Sequence, residues 1–433
     1  MAPKFLKSVH VPHRKNTKNS VPQRFFEVKS VTIPMSMHIG APAKPVVKVG
    51  DHVKTGQLIG EPGGFVSAPI YASISGTVKK VDSMLLSSGG SCMAVTIESD
   101  GLNEMDENIK APELTDFDSF IQAVRSSGVV GLGGAGFPTS VKLKVDPAKV
   151  DYILINGAEC EPYITSDTRT MCDDAEWMLA GLEALRRFFP ATQFYIGIEN
   201  NKPEAIKVMR ETAAKVEKCE VIELPSSYPQ GGEKVLIYNT TGRIVPEGKL
   251  PLDAGCIVLN VTTLAFIGRY LLTGEPLSSK CITIDGSAVK NPQNLIVPVG
   301  TMISEIVEHI GGLKCDPAKA LYGGPMMGLS MPDLDQPILK NTNAVLIFDE
   351  KDAKIPAPTA CIRCGRCVDA CPLQLMPAEL AQACEKKDLQ RLSELKVNLC
   401  MECGSCSFVC PAKRNLVESH KLAKQYLREA GIK

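Results

Sequence analysis

Half of the sixteen cysteines in this 433-residue chain crowd into one stretch near its C-terminal end. There CIRCGRCVDACP (Cys361–Pro372) is followed by CMECGSCSFVCP (Cys400–Pro411), and both read C-x2-C-x2-C-x3-C-P. Thiolates at this spacing wrap an iron–sulfur cubane, and the fourth cysteine of each run ligates the other cluster. The spacing therefore assigns Cys361, Cys364, Cys367 and Cys410 to one [4Fe–4S] cluster, and Cys400, Cys403, Cys406 and Cys371 to a second. Zinc sites also use C-x2-C pairs. Two runs of four with one spacing and a trailing proline favour iron. The other eight cysteines (92, 160, 172, 219, 256, 281, 315 and 384) have no ligand spacing and read as small buried apolar residues. With no secretory signal at the start, cysteines used for metal point to a reducing compartment.

A second stretch has different chemistry. Ser127–Leu143 reads SGVVGLGGAGFPTSVKL, with five glycines between Gly128 and Phe137 and a lysine at 142. Closely spaced backbone N–H groups with a lysine in reach form an anion site. The stretch follows a helical pattern, so it is not the dinucleotide fingerprint that follows a strand, and it lacks the G-x-x-x-x-G-K-[ST] of a P-loop. Alone it reads equally as a tight turn or a nucleotide cradle. Three more segments accompany it: LINGAECEPYITSDTR (Leu154–Arg169), YPQGGEKVLI (Tyr228–Ile237) and VLNVTTLAFI (Val258–Ile267).

The elements that must position these residues change character along the chain. Residues 1–28 are basic (Lys4, Lys7, Arg14, Lys15, Lys18) and read as a solvated or extended tail. Residues 29–100 give short Val- and Ile-rich segments between Gly, Pro and Asp, an all-β module, and 101–118 read as a polar linker. Residues 115–275 alternate helix and strand, the pattern of a doubly wound Rossmann-like α/β layer. Residues 278–350 give a compact unit of strand, turn, strand and helix, and 355–433 are helical around the cysteine runs. The fold class is a multidomain α/β protein. Lys+Arg and Asp+Glu balance at 48 each, so no global field calls for nucleic acid. No apolar run approaches the ~20 residues that span a bilayer.

The string VVKVGDHVKTGQLIG followed by SAPIYASISGTVKKV resembles the lipoyl/biotinyl barrel-sandwich family. Ala68 and Pro69 stand where a carrier would present its modified lysine, which implies a structural or docking role. Residues 278–350 are similar to β-grasp units of the soluble-ligand-binding type. The four segments from Ser127 to Ile267, in that order, resemble the flavin-binding subunit of respiratory complex I. That resemblance implies an FMN phosphate held by Gly131, Gly133, Gly134, Gly136 and Lys142, with Asn156 and Asn260 near the flavin. It also implies Glu159 and Glu161 along a nicotinamide nucleotide, Phe137 stacked on its adenine, and Glu233 at the family's acidic position. The chain departs from the pattern at Leu132 (an arginine in the family), Ala158 (an aspartate), Leu259 (an asparagine) and Val145 (an aromatic). With HIGAPAKPVVKVGDHVKTGQLIG, YGGPMMG at Tyr322–Gly328 and two helical ferredoxin-type runs, nearly the whole length resembles the RnfC family of the Rnf complex. That family implies a peripheral subunit on the cytoplasmic side of a membrane-bound, ion-translocating ferredoxin:NAD+ oxidoreductase. Its electrons would pass between NAD(H), FMN and two [4Fe–4S] clusters, and its partners would be the other subunits and, indirectly, ferredoxin. Two alternatives remain at this point: a flavin/iron–sulfur cobalamin reductase, and a relay scaffold that binds clusters without a nucleotide.

Overall fold

The computed structural model describes residues 5–432; Met1 to Lys4, including one lysine of the basic stretch, and Lys433 lie outside the described residues. At the centre are four parallel strands in the order Cys219–Leu224, Gln193–Glu199, Tyr152–Gly157 and Cys256–Asn260. Their Val- and Ile-rich runs are covered on both faces, as a parallel sheet requires. Ile153 and Ile155 pack towards the helices Ala175–Phe188 and Val261–Thr273, whereas Leu154 and Val258 pack towards the helix Glu233–Thr241. The chain order reverses between Tyr152–Gly157 and Cys256–Asn260. The carboxyl ends of those two strands therefore open the crevice where such sheets bind ligands. A Cβ on Gly268 would collide with the carbonyl of Trp177, so glycine lets the helix that starts at Asn260 lie close against its neighbour.

The barrel module has one sheet of Ser30–Pro34, Ser91–Ser99, Gly76–Leu85 and His52–Val53, and a smaller one of Lys44–Pro45, Leu58–Glu61 and Ile70–Tyr71. In the β-grasp unit Ser279–Asp285 pairs antiparallel with Gln293–Pro298 and parallel with Ala344–Phe348, beside the helix Ile303–His309. These two units do not have separate cores. Val31, Ile33, Ile59 and Ile70 share one with Ile282, Leu295, Ile303 and Ile338. The hairpin tip at Ala68 and Pro69 is buried: the ammonium of Lys340 donates to the Pro69 carbonyl (2.6 Å) and to that of Gly128 (2.7 Å). The C-terminal helices Pro377–Glu385, Leu389–Glu394 and Leu416–Glu429 close around Leu380, Leu392 and Leu427.

Two expectations are corrected. The basic N-terminal segment is not a solvated tail: Val9, Val11 and Thr17 are buried, Val9 exchanges two 2.8 Å backbone hydrogen bonds with Tyr228, and Gln23–Arg24 adds a strand beside Gln293–Pro298. The segment lies in an extended conformation between the flavin-type layer and the β-grasp unit, so its burial depends on distant partners and leaves no period in the sequence. Among the cysteines outside the two runs, Cys160, Cys256 and Cys384 are buried, whereas Cys315 is exposed.

Candidate functional site

Asn156 and Asn260 are register partners at the carboxyl ends of adjacent strands. Asn260 caps the helix Val261–Thr273: its Oδ1 accepts from the N–H groups of Thr262 (2.9 Å) and Thr263 (3.2 Å), and its Nδ2 donates to Asp167 (2.7 Å). Asn156 Oδ1 accepts from the Ala158 N–H (3.2 Å) while its Nδ2 donates to the Gly231 carbonyl (2.9 Å). Both amides are therefore fixed in orientation before any ligand arrives.

The glycine loop lies over this pair. Gly131 N–H donates to the Phe137 carbonyl (2.9 Å) and closes the loop, and Leu132 N–H donates to Thr263 Oγ1 (2.9 Å), which pins it to the helix start. A Cβ on Gly133 would collide with the Asn260 amide, so only glycine lets the backbone approach there. Gly134 faces open space and its carbonyl accepts from Asn341 Nδ2 (3.0 Å), while Gly136 takes φ 70° and its carbonyl accepts from Ile39 N–H (3.2 Å). Phe137 is half-buried beside the loop. The Lys142 ammonium donates to the Val258 carbonyl (3.0 Å) and to Glu233 (3.3 Å) at the rim. Glycine backbone, a lysine and two fixed amides around one crevice fit an FMN phosphate and ring. Leu132, Ala158 and Leu259, the departures from the resembled pattern, are buried apolar side chains, and Val145 packs against the same core as Leu132 and Leu259.

The two glutamates are each held by backbone N–H groups. Glu159, at φ 45°, turns its carboxylate inward, where it accepts from the N–H groups of Asp167 (2.7 Å) and Thr168 (3.2 Å) and from the Thr168 hydroxyl. Its side chain is 2 % exposed and braces the start of the helix Ser166–Asp173. Burial pushes its carboxyl upward, against the pull of Lys15. Glu161 accepts from the N–H groups of Met326 (3.0 Å) and Met327 (2.8 Å), and burial raises it to about 7 in spite of those bonds. Sequence reasoning missed Lys15, Asp167 and Asn341, none of which has a spacing signal.

In the C-terminal domain Cys361, Cys364, Cys367 and Cys410 line one cavity of about 510 Å³, with Arg363, Lys386 and Arg414 at its edge. Cys371, Cys400, Cys403 and Cys406 line a smaller hollow with Met401 and His420. The fourth cysteine of each run thus stands with the other run's three. Among the described residues no three His, Cys, Asp or Glu side chains converge on a single ion, and a cubane's four thiolates surround a cage instead. Backbone N–H groups of Leu375 and Glu402 approach the sulfurs of Cys371 and Cys400 (both 3.4 Å), the kind of contact that tunes cluster potential.

One loop joins crevice and hollow. The Tyr228 hydroxyl donates to the Cys403 carbonyl (2.7 Å), and Gly232 abuts Met401 so closely that a Cβ would collide with it. On the other side of the same loop the Gly231 carbonyl accepts from Asn156 Nδ2. Cys160, Tyr228, Ala370 and Cys403 form a small apolar cluster between them.

Four family models match, described as RnfC barrel sandwich hybrid domain (residues 3–102), Nuo51 FMN-binding domain (124–269), SLBB domain (281–330) and 4Fe-4S dicluster domain (360–415). The first of these takes in the N-terminal segment. The C component of the Na(+)-translocating ferredoxin:NAD(+) oxidoreductase complex of Acetobacterium woodii is 43% identical over 97% of this chain and 96% of its own length. The proton-translocating counterpart of Clostridium ljungdahlii is 41% identical over 93% of this chain and 89% of its own. The C component of the ion-translocating oxidoreductase complex of Rhodobacter capsulatus is 38% identical over 92% and 78%. With an FMN-binding domain, a dicluster domain and this identity across almost its whole length, the chain belongs to the RnfC family of ion-translocating ferredoxin:NAD+ oxidoreductase (Rnf) complexes.

Proposed function

We propose that this oxidoreductase subunit passes electrons between NAD(H) and the other subunits of its complex, through FMN in the crevice and then through the two cysteine sets. Gly131, Gly133, Gly134, Gly136 and Lys142 would hold the FMN phosphate, and Asn156 and Asn260 the ring. Cys361, Cys364, Cys367 and Cys410 would hold one [4Fe–4S] cluster, and Cys371, Cys400, Cys403 and Cys406 the other. Bound flavin supplies the exchange between a two-electron nicotinamide and one-electron clusters; the protein supplies placement and electrostatics. The observation that carries this reading is the loop 228–232, which touches Asn156 on one side and Cys403 and Met401 on the other. It makes the Cys371/Cys400/Cys403/Cys406 set the inner one. The outer set has Cys361 and Cys364 exposed beside Arg363 and Arg366, a face suited to a partner of acidic surface.

Among the described residues no helix is long and apolar enough to cross a membrane. A peripheral place on the cytoplasmic side, where NAD(H) and ferredoxin are found, is part of the proposal. Glu159, turned inward, favours the second reading, a relay scaffold that binds clusters without a nucleotide. Phe137 and Glu233 remain at the crevice rim as candidate contacts for NAD(H).

Lys142→Ala tests the flavin site. It is expected to lower FMN occupancy about tenfold, the effect of losing one charge-assisted contact, with iron per chain unchanged. Equal loss of flavin and iron would overturn the assignment. Anaerobic NADH added to the holoprotein is expected to bleach the visible absorbance; a cluster-loaded protein that retains no FMN and is not bleached by NADH would establish the relay reading.

A further inference from the structure

The ammonium of Lys15 is nearly enclosed, its side chain 12 % exposed, at the centre of the loop that follows strand Tyr152–Gly157. It donates to three backbone carbonyls of that loop: Glu159 (2.8 Å), Glu161 (2.9 Å) and Ile164 (2.5 Å). A lysine has three N–H donors and all three are used. The Glu159 carboxylate, 3.9 Å away, balances the charge. The loop needs such a hub because Glu159 (φ 45°) and Tyr163 (φ 71°) are both left-handed without being glycine, a conformation that persists only where the surroundings impose it. Neighbours of Lys15 secure it in turn: the His13 carbonyl accepts from Tyr163 N–H (2.9 Å), and the hydroxyls of Thr17 and Thr165 meet at 2.5 Å.

The two ends of this loop are tied to the two crevice amides. At its start Ala158 N–H donates to Asn156 Oδ1, and just past its end Asp167 accepts from Asn260 Nδ2. Asp167 is also the residue whose N–H donates to Glu159. We propose that Lys15, in the N-terminal segment, is a positioning residue for the crevice: by gathering the carbonyls of Glu159, Glu161 and Ile164 it sets the frame that orients Asn156 and Asn260 towards the flavin. Arginine would not replace it, because a planar fork cannot direct three donors to carbonyls converging on one point. The inference rests on the flavin reading of the crevice.

The test uses the full chain with its clusters reconstituted, stripped of flavin and titrated with FMN, following fluorescence quenching and the resolved absorption band of bound flavin. Lys15→Met is expected to weaken FMN binding about tenfold and to blur that band, with iron per chain unchanged. Lys15→Met/Glu159→Gln removes both buried charges, so it folds without an unpaired carboxylate, and it is expected to bind FMN as weakly as the single variant. FMN affinity within twofold of the native chain in either variant that keeps its iron would overturn the proposal. So would loss of iron in step with flavin in both, since Lys15 would then hold the whole fold and not the crevice. A native chain that takes up no FMN would overturn the flavin reading itself, a different outcome.

Discussion

The two cysteine runs are alike locally and opposite in setting. Arg363 (φ 54°) and Glu402 (φ 58°) take the left-handed region at the same place in each run. So do Gly365 (76°) and Gly404 (78°) and, two residues past each run, Gln374 (56°) and Lys413 (54°), and each run contains a four-residue helix, Arg366–Asp369 or Ser405–Phe408. The C-x2-C-x2-C-x3-C-P spacing dictates that wrap whatever surrounds it. The surroundings then divide the roles. Cys361, Cys364 and Ile362 are exposed, whereas Cys403 and Cys406 are buried, and Met401, the counterpart of Ile362, is seated on Gly232. Spacing makes a cluster site; contact with the loop 228–232 makes one of them the inner site.

The largest effect should come from removing a ligand on each side. Cys403→Ala and Cys361→Ala are each expected to lower iron from about eight to about four per chain. Their electron paramagnetic resonance after NADH addition should differ. Cys361→Ala should retain a reducible inner cluster, and Cys403→Ala should leave the outer cluster oxidised because its route is cut. Equal NADH reduction in both variants would erase the distinction between inner and outer sets.

How much of this was legible follows from range. The cysteine sets were readable because their ligands lie within twelve-residue runs whose conformation is local. The pairing of Asn156 with Asn260 was not readable from spacing, because strand order brings together residues far apart in the chain; only the resemblance pointed to both. Lys15 looked like one more charge in a basic tail. Its partners are about 145 residues away, and an extended segment that pairs through isolated bridges leaves no period to detect. The inward turn of Glu159 was hidden for the same reason, since it depends on Lys15 and on the helix Ser166–Asp173. The Val- and Ile-rich segments of 29–100 and the strands of 278–350 read as separate units, and nothing local says that Val31 and Ile282 are buried in one core.

The next effect is one of pH. Glu161 holds the N–H groups of Met326 and Met327, and Met326 packs with Cys403, so this carboxyl braces the inner set and has no counterpart at the outer one. Burial raises it from 4.5 to about 7. Between those values the folded chain holds a proton that the unfolded chain has released, so stability should fall as pH rises from about 4.5 to about 7 and level off above. The full change is about 3 kcal/mol. Chemical unfolding across that range should show the slope, and Glu161→Gln should flatten it. An unchanged slope would mean that the loop bearing Met326 does not depend on this carboxyl.

The smallest effect compares one contact on each side. Tyr228→Phe removes the hydroxyl that donates to the buried Cys403 carbonyl, and an orphaned buried acceptor costs about 1–3 kcal/mol. Ile362→Ala trims a side chain that is 67 % exposed on the outer run, which should cost about 0.5 kcal/mol or less. Melting of the two variants under one buffer should therefore separate them, with Tyr228→Phe the lower. The tyrosine change should also shift the midpoint potential of the inner cluster alone, since it alters the dipoles beside Cys403 while every ligand stays in place. Equal melting and no shift in either potential would reduce the loop 228–232 to a passive neighbour, and the difference between the runs to one of exposure.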